Sequence, residues 1–403
     1  MAAIIVGTPN AWSARTTSAD FAVRARAESV ELDGREALAA TLKLRGTFKH
    51  NLTDSLAATL QIDHVESSLE HRHSDGVTLR SDPVIADPEG TEINQAHVRL
   101  DSGNTRITLG RQIITLGDHR FIGDVAFRQN DQTFDALQVN HKTLGGIELS
   151  YAYANKVHRI FGDRAGRRLS RSDLRFTALG GVRPAGQLGE HDIDAHFVSA
   201  KTDVFDYITA TTFAHSVHNR DASGLSHRTV GASAEFRYKT GRTKWQGSLT
   251  AAHQERQDVI GRPRVRFYRW ELGAEVRPWL LSVRRARFGT SNGQAFQTPF
   301  ATLHKFQGWT DQFLITPGEG LIDTSVRFMW RKRPFVVDFR FHDFDTVRRN
   351  RPIGSEWNAD LIYAPNREHE LKLRYAHFRS SGASSIRAGE VRKVFLMYSY
   401  NLE

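Results

Sequence analysis

The chain has 403 residues and no cysteine, and its 55 lysine and arginine residues exceed its 45 aspartate and glutamate residues to give a formal net charge of +10. Without cysteine, thiol catalysis, disulfide bridges and cysteine metal sites are excluded, and no run of about 18 apolar residues is present that could form a membrane-spanning helix. An excess of basic over acidic residues by default indicates a polyanionic partner such as nucleic acid. The low mean hydropathy of −0.46 does not exclude a membrane barrel, because only every second strand residue of such a barrel faces lipid.

The N-terminal segment MAAIIVGTPNAWSA ends in small residues, as signal-peptide cleavage sites do, but it lacks the basic and the fully apolar segments of a secretory signal. We therefore expect residues 1–17 to be a flexible N-terminal remnant and residues 18–403 to form one domain. The lack of cysteine agrees with an oxidising periplasmic or surface location without requiring one.

Strict alternation of apolar and polar residues begins at Phe21, where Val23 and Ala25 share one parity and Arg24 and Arg26 occupy the other. Such alternation predicts strands with one apolar and one polar face. No amphipathic helical run of comparable length is present. The same pattern recurs along the chain at 38–48, 56–63, 147–153, 230–238, 269–277, 335–342, 371–375 and 393–401.

The predicted connections alternate between short and long. The short ones are 50–54, 101–104, 141–145, 184–189, 240–242, 278–279, 331–334 and 365–369. The long ones are 66–91, 115–130, 157–172, 202–225, 257–263, 291–303, 346–353 and 381–390; the first connection, 33–35, belongs to the long class by position but is short. This sorting is typical of a membrane barrel, which has tight periplasmic turns on one rim and longer extracellular loops on the other.

We predict an all-β fold: a single closed antiparallel transmembrane β-barrel of about 18 strands, within a range of 16–20, in the outer membrane of a Gram-negative cell. The range reflects residues 303–331, which could contain a further strand pair. Tyrosine and tryptophan residues near the strand ends agree with the aromatic girdles of such barrels. The alternative is a large soluble β-protein that uses the aromatic face as its core and binds acidic polysaccharide.

The polar parity would line the lumen, and it is rich in arginine. A water-filled electropositive lumen favours anions over cations, although the same arginines could instead pair with lumenal carboxylates and stiffen the wall. Nucleic-acid binding is disfavoured because the basic residues do not form one patch with interleaved stacking aromatics. The predicted inward arginines include Arg24, Arg26, Arg45, Arg99, Arg340 and Arg374.

Catalytic motifs are missing: the sequence contains no GxSxG, no HExxH and no P-loop. We therefore expect neither an enzyme nor a cofactor. His71, His73 and Asp75 have the residue types for a divalent cation, but a solvated external loop explains them better, so no metal site is expected.

Two sequence blocks resemble the alginate export family of outer-membrane barrels. The first contains GRQ at 110–112, LGDHRFIG at 116–123 and FRQNDQTFDA at 127–136, and the second is FQTPFATLHKFQGWTDQF at 296–313 with GLID at 320–323. The resemblance implies an eighteen-stranded monomeric barrel whose arginine-rich constriction passes a polyuronate. Carried over residue by residue, it implies these pathway residues: Arg111, Asp118, Arg120, Arg128, Gln129, Asn130 and Asp135 in the first block, and His304, Lys305 and Asp311 in the second.

The expected function is passive passage of anionic solutes, with alginate-like polyuronates or uronate oligosaccharides as the expected cargo and outer-membrane lipids around the barrel. The alternatives are a general anion-selective porin for small acids, and a plugged structural or receptor barrel without specific transport. We expect the stretch 109–139 to fold into the lumen and narrow it, because Gly110, Gly117 and Gly123 let the backbone bend close to a wall.

Overall fold

A computed structural model describes residues 16–166, 168, 183–257, 261–382, 386 and 389–402. Nearly all of the regular structure is β-strand, joined by single 3₁₀ turns at Glu70–Arg72, Ala185–Gln187, Ser223–Leu225 and Leu303–Lys305. No helix in this described part is both long enough and apolar enough to cross a membrane. The N-terminal remnant predicted for residues 1–17 lies almost entirely outside the described residues, and the first strand begins at Thr17.

Eighteen of the twenty strands in the described part of the chain form one antiparallel sheet. Each of them pairs with the sheet strands that precede and follow it in the chain, and the first strand pairs with the last. Closure removes the exposed edges that an open sheet would present. The strands are Thr17–Leu32 (β1), Arg35–Asn51 (β2), Leu56–Ser68 (β3), Gly90–Ser102 (β4), Thr105–Gln112 (β5), Thr133–Lys142 (β6), Glu148–His158 (β7), Glu190–Phe205 (β8), Ile208–Asn219 (β9), His227–Thr240 (β10), Thr243–Arg256 (β11), Arg264–Val276 (β12), Trp279–Phe288 (β13), the two-residue strands Thr290–Ser291 (β14) and Gln294–Ala295 (β15), Leu321–Lys332 (β16), Phe335–Asp345 (β17), Pro352–Tyr363 (β18), His369–Ser380 (β19) and Glu390–Leu402 (β20). The small hairpin β14–β15 forms a separate sheet within a loop.

The barrel carries its apolar residues on the outside. Leu109 on β5, Leu249 on β11 and Leu281 on β13 are 56%, 63% and 53% exposed, and large apolar side chains of most other strands are exposed in the same way. A belt of exposed apolar side chains of this extent is unfavourable in water but favourable in contact with lipid. Tryptophan and tyrosine near the strand ends, such as Trp279 beside Trp330, mark the interface level. The closed barrel with this exterior is therefore an outer-membrane protein, as predicted.

The two rims differ as the sequence predicted, with one pair of exceptions. Residues 103–104, 241–242 and 333–334 are tight turns on the rim that also carries both chain ends, whereas 69–89, 113–132 and 289–320 are long connections on the opposite rim. The short connection predicted at 184–189 is wrong, because it belongs to the long connection 159–189. The long connection predicted at 202–225 is also wrong, because it contains a tight turn at 206–207 and all of β9.

The hydrophobic core of the molecule lies inside the barrel. One cluster joins Ile114 and Ile122 of the connection 113–132 to Phe134 of β6, Phe197 of β8 and Phe300 of the connection 289–320. A second cluster packs phenylalanines of the connection 289–320 against the opposite wall. Two long connections therefore fold into the lumen and fill part of it.

Lipid exposure of β11 leads to a direct test. Replacing Leu249 by arginine would put a charge on the lipid face, which costs about 2–4 kcal/mol near the bilayer midplane. We expect a fall of that size in unfolding free energy, measured by urea titration in lipid vesicles. Ser248→Arg is the matched control, because Ser248 points to the lumen between Glu235 and Glu271. An equal loss in both variants would contradict the assigned faces.

Candidate solute pathway and its constriction

The connection 113–132, here called the constriction loop, lies across the inner face of β1 and β2. Arg24 donates from Nη1 to the carbonyl oxygens of Ala126 at 3.0 Å and Arg128 at 3.1 Å. Arg26 donates to the carbonyl of Phe127 at 2.8 Å. Arg24 and Arg26, which alternate along β1, thus bind consecutive carbonyls of the loop and fix it to the wall. Because a carbonyl is neutral, these bonds do not neutralise the arginine charges.

Arg128 of the constriction loop is buried against carboxylates. Its Nη1 lies 2.9 Å from Glu28 Oε2 and 3.6 Å from Asp87 Oδ2, while its Nη2 lies 3.1 Å from Asp311 Oδ2. Asp87 also accepts the backbone N–H of Gln129 at 2.8 Å. These neighbouring carboxylates raise the pKa of the Arg128 guanidinium above its ordinary value although burial acts against them.

The end of the same loop is held by β2 and β3. Asp131 accepts a hydrogen bond from Arg45 at 2.7 Å, and Arg45 is bound at the same time to Asp63 at 2.5 Å. Lys43 donates to the carbonyl of Gln129 at 2.7 Å. Buried ion pairs with this many hydrogen bonds are costly to break, because removal of one partner leaves an uncompensated charge.

A second connection, 289–320, meets the constriction loop in the lumen and is called the second inward loop. Gly123 donates its N–H to the carbonyl of Phe300 at 2.8 Å. A Cβ on Gly123 would approach the backbone nitrogen of Thr302 to 2.8 Å, so this contact requires glycine. The ring of Phe127 stacks on His304 with centroids 3.7 Å apart. The two loops therefore form one packed unit.

The second inward loop is anchored to β18 and β19. Glu356 of β18 accepts the N–H of Thr310 at 3.0 Å and its hydroxyl at 2.5 Å. Arg374 of β19 binds Asp360 at 2.6 Å and lies over the ring of Trp309, 3.7 Å from its centroid. This tip of the loop is thus fixed against the wall by both polar and aromatic contacts.

Asp311 lies where the two loops and the wall meet. His304 Nδ1 is 2.8 Å from Asp311 Oδ1, and Lys393 Nζ of β20 is 2.8 Å from Asp311 Oδ2. Burial alone would raise the pKa of the Asp311 carboxyl, but His304, Lys393 and Arg128 together lower it well below its ordinary range. Burial lowers the pKa of His304 to about 3, so this imidazole is neutral at pH 7.

Two cavities lie on either side of residues 126–131, here called the constriction segment. The first, called the vestibule, has a volume of about 890 Å³ and opens between the extracellular loops; its charged lining residues are Arg128, Arg159, Arg256, Asp311 and Lys393, and the neutral His304 also lines it. The second, the lower cavity, has a volume of about 320 Å³ on the periplasmic side and is lined by Arg24, Lys43, Arg45, Arg367 and Glu370 among others. Arg24, Lys43 and Arg45, which line the lower cavity, bind the constriction segment. Arg128 of the same segment lines the vestibule.

Positive charge dominates both cavities, since each has four lysine or arginine residues and one carboxylate in its lining. Within the described residues, Arg24, Arg159 and Arg256 make side-chain hydrogen bonds only to backbone carbonyls: Arg24 to Ala126 and Arg128, Arg159 to Pro299, and Arg256 to Ala295 and Gly224. Burial lowers the pKa of Arg159 to about 10, which still leaves it charged at pH 7. Among the residues that the structure describes, these three guanidinium groups form no ion pair, so their charges remain able to attract an anion.

Two predicted pathway residues face away from the lumen. Arg111 on β5 shares the parity of exposed Leu109, and Asp135 on β6 shares the parity of exposed Leu137, whereas the intervening Ala136 is buried inside. Arg111 and Asp135 are bound to each other at 3.0 Å. Their prediction as pathway residues is wrong, because the strand alternation places both on the outer face.

Arg120 is in the lumen but lines neither the vestibule nor the lower cavity. It is 2% exposed, and its guanidinium lies over the ring of Phe306 at 3.9 Å. Gln129 and Asn130 are likewise buried, with Gln129 bonded to Thr41 at 2.8 Å and Asn130 to the carbonyl of Ile160 at 3.2 Å. The structure gives all three a role in packing the constriction loop, and their place in the solute pathway or its constriction stays a prediction.

The remaining predicted residues divide between the pathway and its supports. Arg24, Arg45, Arg128 and His304 line the two cavities. Arg26, Arg340 and Arg374 are inward residues that pair with Glu28, Asp338 and Asp360 respectively. Asp118 pairs with Arg269, and its backbone carbonyl accepts a hydrogen bond from Lys305. Arg99 pairs with Asp101 near the periplasmic rim. Some of the predicted arginines thus line the cavities, and others pair with carboxylates of the wall.

Three charged residues of the vestibule did not emerge from the sequence as site residues: Arg159, Arg256 and Lys393. Lys393 had a usable signal, since it lies on the polar parity of β20. Arg256 had one too, because it is the last residue of β11 and shares the parity of the buried Gln254. Arg159 follows the end of β7, where alternation carries no information about the direction of a side chain. The metal candidate His71–His73–Asp75 is not assembled, because Asp75 instead accepts the N–H groups of Val77 and Thr78 at 2.8 and 2.6 Å.

No protein-family model matches the sequence, and no curated protein matches it. Solved structures do match over nearly the whole chain. OccAB3 of Acinetobacter baumannii has a TM-score of 0.71 at 11% identity, covering 96% of this chain and 99% of that one. The outer membrane protein OpdK of Pseudomonas aeruginosa gives 0.67 at 11%, covering 96% and 98%, and OpdK solved with vanillate gives 0.64 at 11%, covering 95% and 98%.

The fold is that of the outer-membrane porins. The predicted eighteen-stranded outer-membrane barrel is therefore confirmed. The more specific resemblance to the alginate export family stays a prediction, because identities of this size establish the architecture alone.

Proposed function

We propose that this porin-fold barrel is a passive channel for small organic anions that combine a carboxylate with an apolar body. The observation that carries the proposal is the vestibule, whose lining combines cations with many apolar side chains. Direction is supplied by the solute gradient, and the residues supply only a selective path.

The vestibule walls are unusually apolar for the water-filled part of a channel. Leu314 and Ile315 are 45% and 68% exposed. The other apolar lining residues include Val30, Leu32, Val84, Ile160, Phe161 and Leu303. An apolar solute body gains free energy by covering such a surface, whereas the hydroxyl groups of a sugar would lose water there without gaining hydrogen bonds.

The cations of the vestibule supply the charge recognition. Among the described residues, Arg159 and Arg256 form no ion pair, and Lys393 pairs with Asp311. A carboxylate entering the vestibule meets guanidinium groups, which bind it by charge-assisted hydrogen bonds. Below the constriction segment, Arg24 continues the positive path. Several such contacts in series let an anion exchange partners and move on.

Vanillate, the molecule named with the solved structure of OpdK, is an aromatic carboxylate and belongs to the class that this vestibule fits. The second candidate cargo is a uronate oligosaccharide. It is favoured by the two sequence blocks that resemble the alginate export family and by the cationic lining of both cavities. The apolar vestibule wall and the two packed inward loops argue for the small acid over the polymer.

Planar-bilayer recordings test the proposal. In a potassium chloride gradient we expect anion selectivity, and we expect vanillate added to the extracellular side to block the current. Arg159→Gln should weaken the block, while Arg266→Gln, an exposed arginine on the outer face of β12, should not. Block by oligouronates with none by vanillate would favour the second candidate, and cation selectivity would contradict both.

A further inference from the structure

A cluster of ligating side chains lies on the outer face of the barrel, apart from the solute pathway. His158 ends β7, Glu190 begins β8, and Asp163 lies in the connection between them. One nitrogen of His158 and one carboxylate oxygen each of Asp163 and Glu190 lie within 4.8 Å of one another. We propose that these three residues bind a divalent transition-metal ion of the zinc class. The proposal is independent of the proposed transport function.

The orientation of His158 matches that of a metal ligand. Its Nε2 lies 3.0 Å from Asp135 Oδ2, and Asp135 is held in turn by Arg111 at 3.0 Å. An ionised carboxylate accepts a proton-bearing nitrogen, so Nε2 carries the hydrogen and Nδ1 presents its lone pair. Carboxylate–histidine pairing of this kind is the usual support of a zinc-bound imidazole. The two residues that do not line the pathway thus gain a positioning role.

The free side of His158 is the second observation that indicates a cation. The residue is 6% exposed, and within the described residues its Nδ1 makes no hydrogen bond although it lies 2.8 Å from Glu190 Oε1. A lone pair facing a carboxylate oxygen is repulsive unless a positive charge lies between them. Zinc–nitrogen and zinc–oxygen bonds of about 2.0–2.2 Å put tetrahedral ligand atoms about 3.3 Å apart, so small side-chain rotations would complete the site.

The loop that carries Asp163 is pinned by two glycines. Gly162 has a φ of +69°, and a Cβ there would collide with the Glu92 carboxylate, while a Cβ on Gly189 would collide with the carbonyl of Gly162. Asp163 also donates its N–H to Glu92 at 3.0 Å. The backbone therefore approaches the start of β8 closely enough to hold Asp163 beside Glu190, and both glycines are needed for this approach.

The charge around the cluster also favours a cation. Lys156 lies 3.0 Å from Glu190 Oε2, the carboxylate oxygen that does not face His158. The local carboxylates are Glu92, Asp135, Asp163, Glu190 and Asp192, against the two cations Arg111 and Lys156. This excess of negative charge occurs in a chain with a net charge of +10. One imidazole with two carboxylates suits zinc better than calcium, which prefers oxygen ligands alone.

Calorimetric titration of the folded barrel in detergent with zinc chloride tests the proposal. We expect one zinc ion per chain and a rise in melting temperature, because a ligand that binds only the folded state stabilises it. His158→Gln and Asp163→Asn should abolish this binding, and Asp135→Asn should weaken it by about 10–100-fold. His196→Gln is the matched control, since His196 is an exposed histidine that pairs with Asp194 on the same face of β8.

Asp163→Asn also keeps the test valid if strand variants fold poorly, because Asp163 lies in a connection and not in a strand. Zinc affinity that is the same in the Asp163→Asn variant and the parent would overturn the proposal. So would absence of zinc binding in the parent, which is the result expected if a proton alone lies between His158 and Glu190. Calcium binding in preference to zinc would overturn the assignment of metal class.

Discussion

Replacing Arg24 and Arg159 together by glutamine is expected to remove most of the anion selectivity of the channel. Within the described part of the chain, the hydrogen bonds of both guanidinium groups go to backbone carbonyls, and the two groups line cavities on opposite sides of the constriction segment. A unit charge about 8 Å from a permeating ion, at an effective dielectric constant of about 40, contributes ~1 kcal/mol, or about fivefold in permeability for each charge removed. The reversal potential in a salt gradient should therefore move toward that of a non-selective pore.

The matched control for this double variant is Arg264→Gln with Arg266→Gln. These arginines alternate on the exposed face of β12, outside the lumen. The two double variants remove the same formal charge. Equal shifts of the reversal potential would mean that selectivity follows overall charge, and an unchanged potential in the Arg24/Arg159 variant would show that neither residue lies on the path.

Glu28→Gln is expected to release the constriction loop and raise the single-channel conductance. Glu28 is 1% exposed and pairs with Arg26 at 2.8 Å and Arg128 at 2.9 Å. The neutral amide would leave Asp87, at 3.3 and 3.6 Å, as the carboxylate that the two guanidinium groups share, while Arg128 keeps Asp311 at 3.1 Å. Breaking a buried pair in this way costs about 3–5 kcal/mol.

The conductance rises in this variant because the constriction segment separates the vestibule from the lower cavity. Heat-modifiable migration in detergent gels should show that the barrel itself remains folded. The control is Glu66→Gln, whose carboxylate is 69% exposed and pairs only with His64, at 3.3 Å. A lower melting temperature with unaltered conductance would mean that Glu28 supports the wall and does not hold the loop in place.

The strand faces could be predicted from the sequence because side-chain direction repeats every two residues within a strand. Arg111 shows that this rule was stronger than the motif resemblance: its parity matches that of Leu109, so alternation alone would have placed it outside. The turn prediction failed around 184–207 for a chemical reason. Residues 184–189, PAGQLG, have typical turn composition, whereas the actual turn at 206–207 is Asp206-Tyr207, without glycine or proline.

The sequence by itself determined that this chain is an outer-membrane barrel of about eighteen strands with an arginine-rich interior, because periodicity and turn length are local properties. Only the tertiary structure decided which of these arginines carry free charge. Arg128 is balanced by Glu28 and Asp311, residues 100 or more positions away in the chain, whereas Arg159 contacts the carbonyl of Pro299 and the ring of Phe300 and has no ion pair among the described residues. Such pairings depend on where two long loops fold inside the lumen, and that is fixed by contacts between residues distant in sequence.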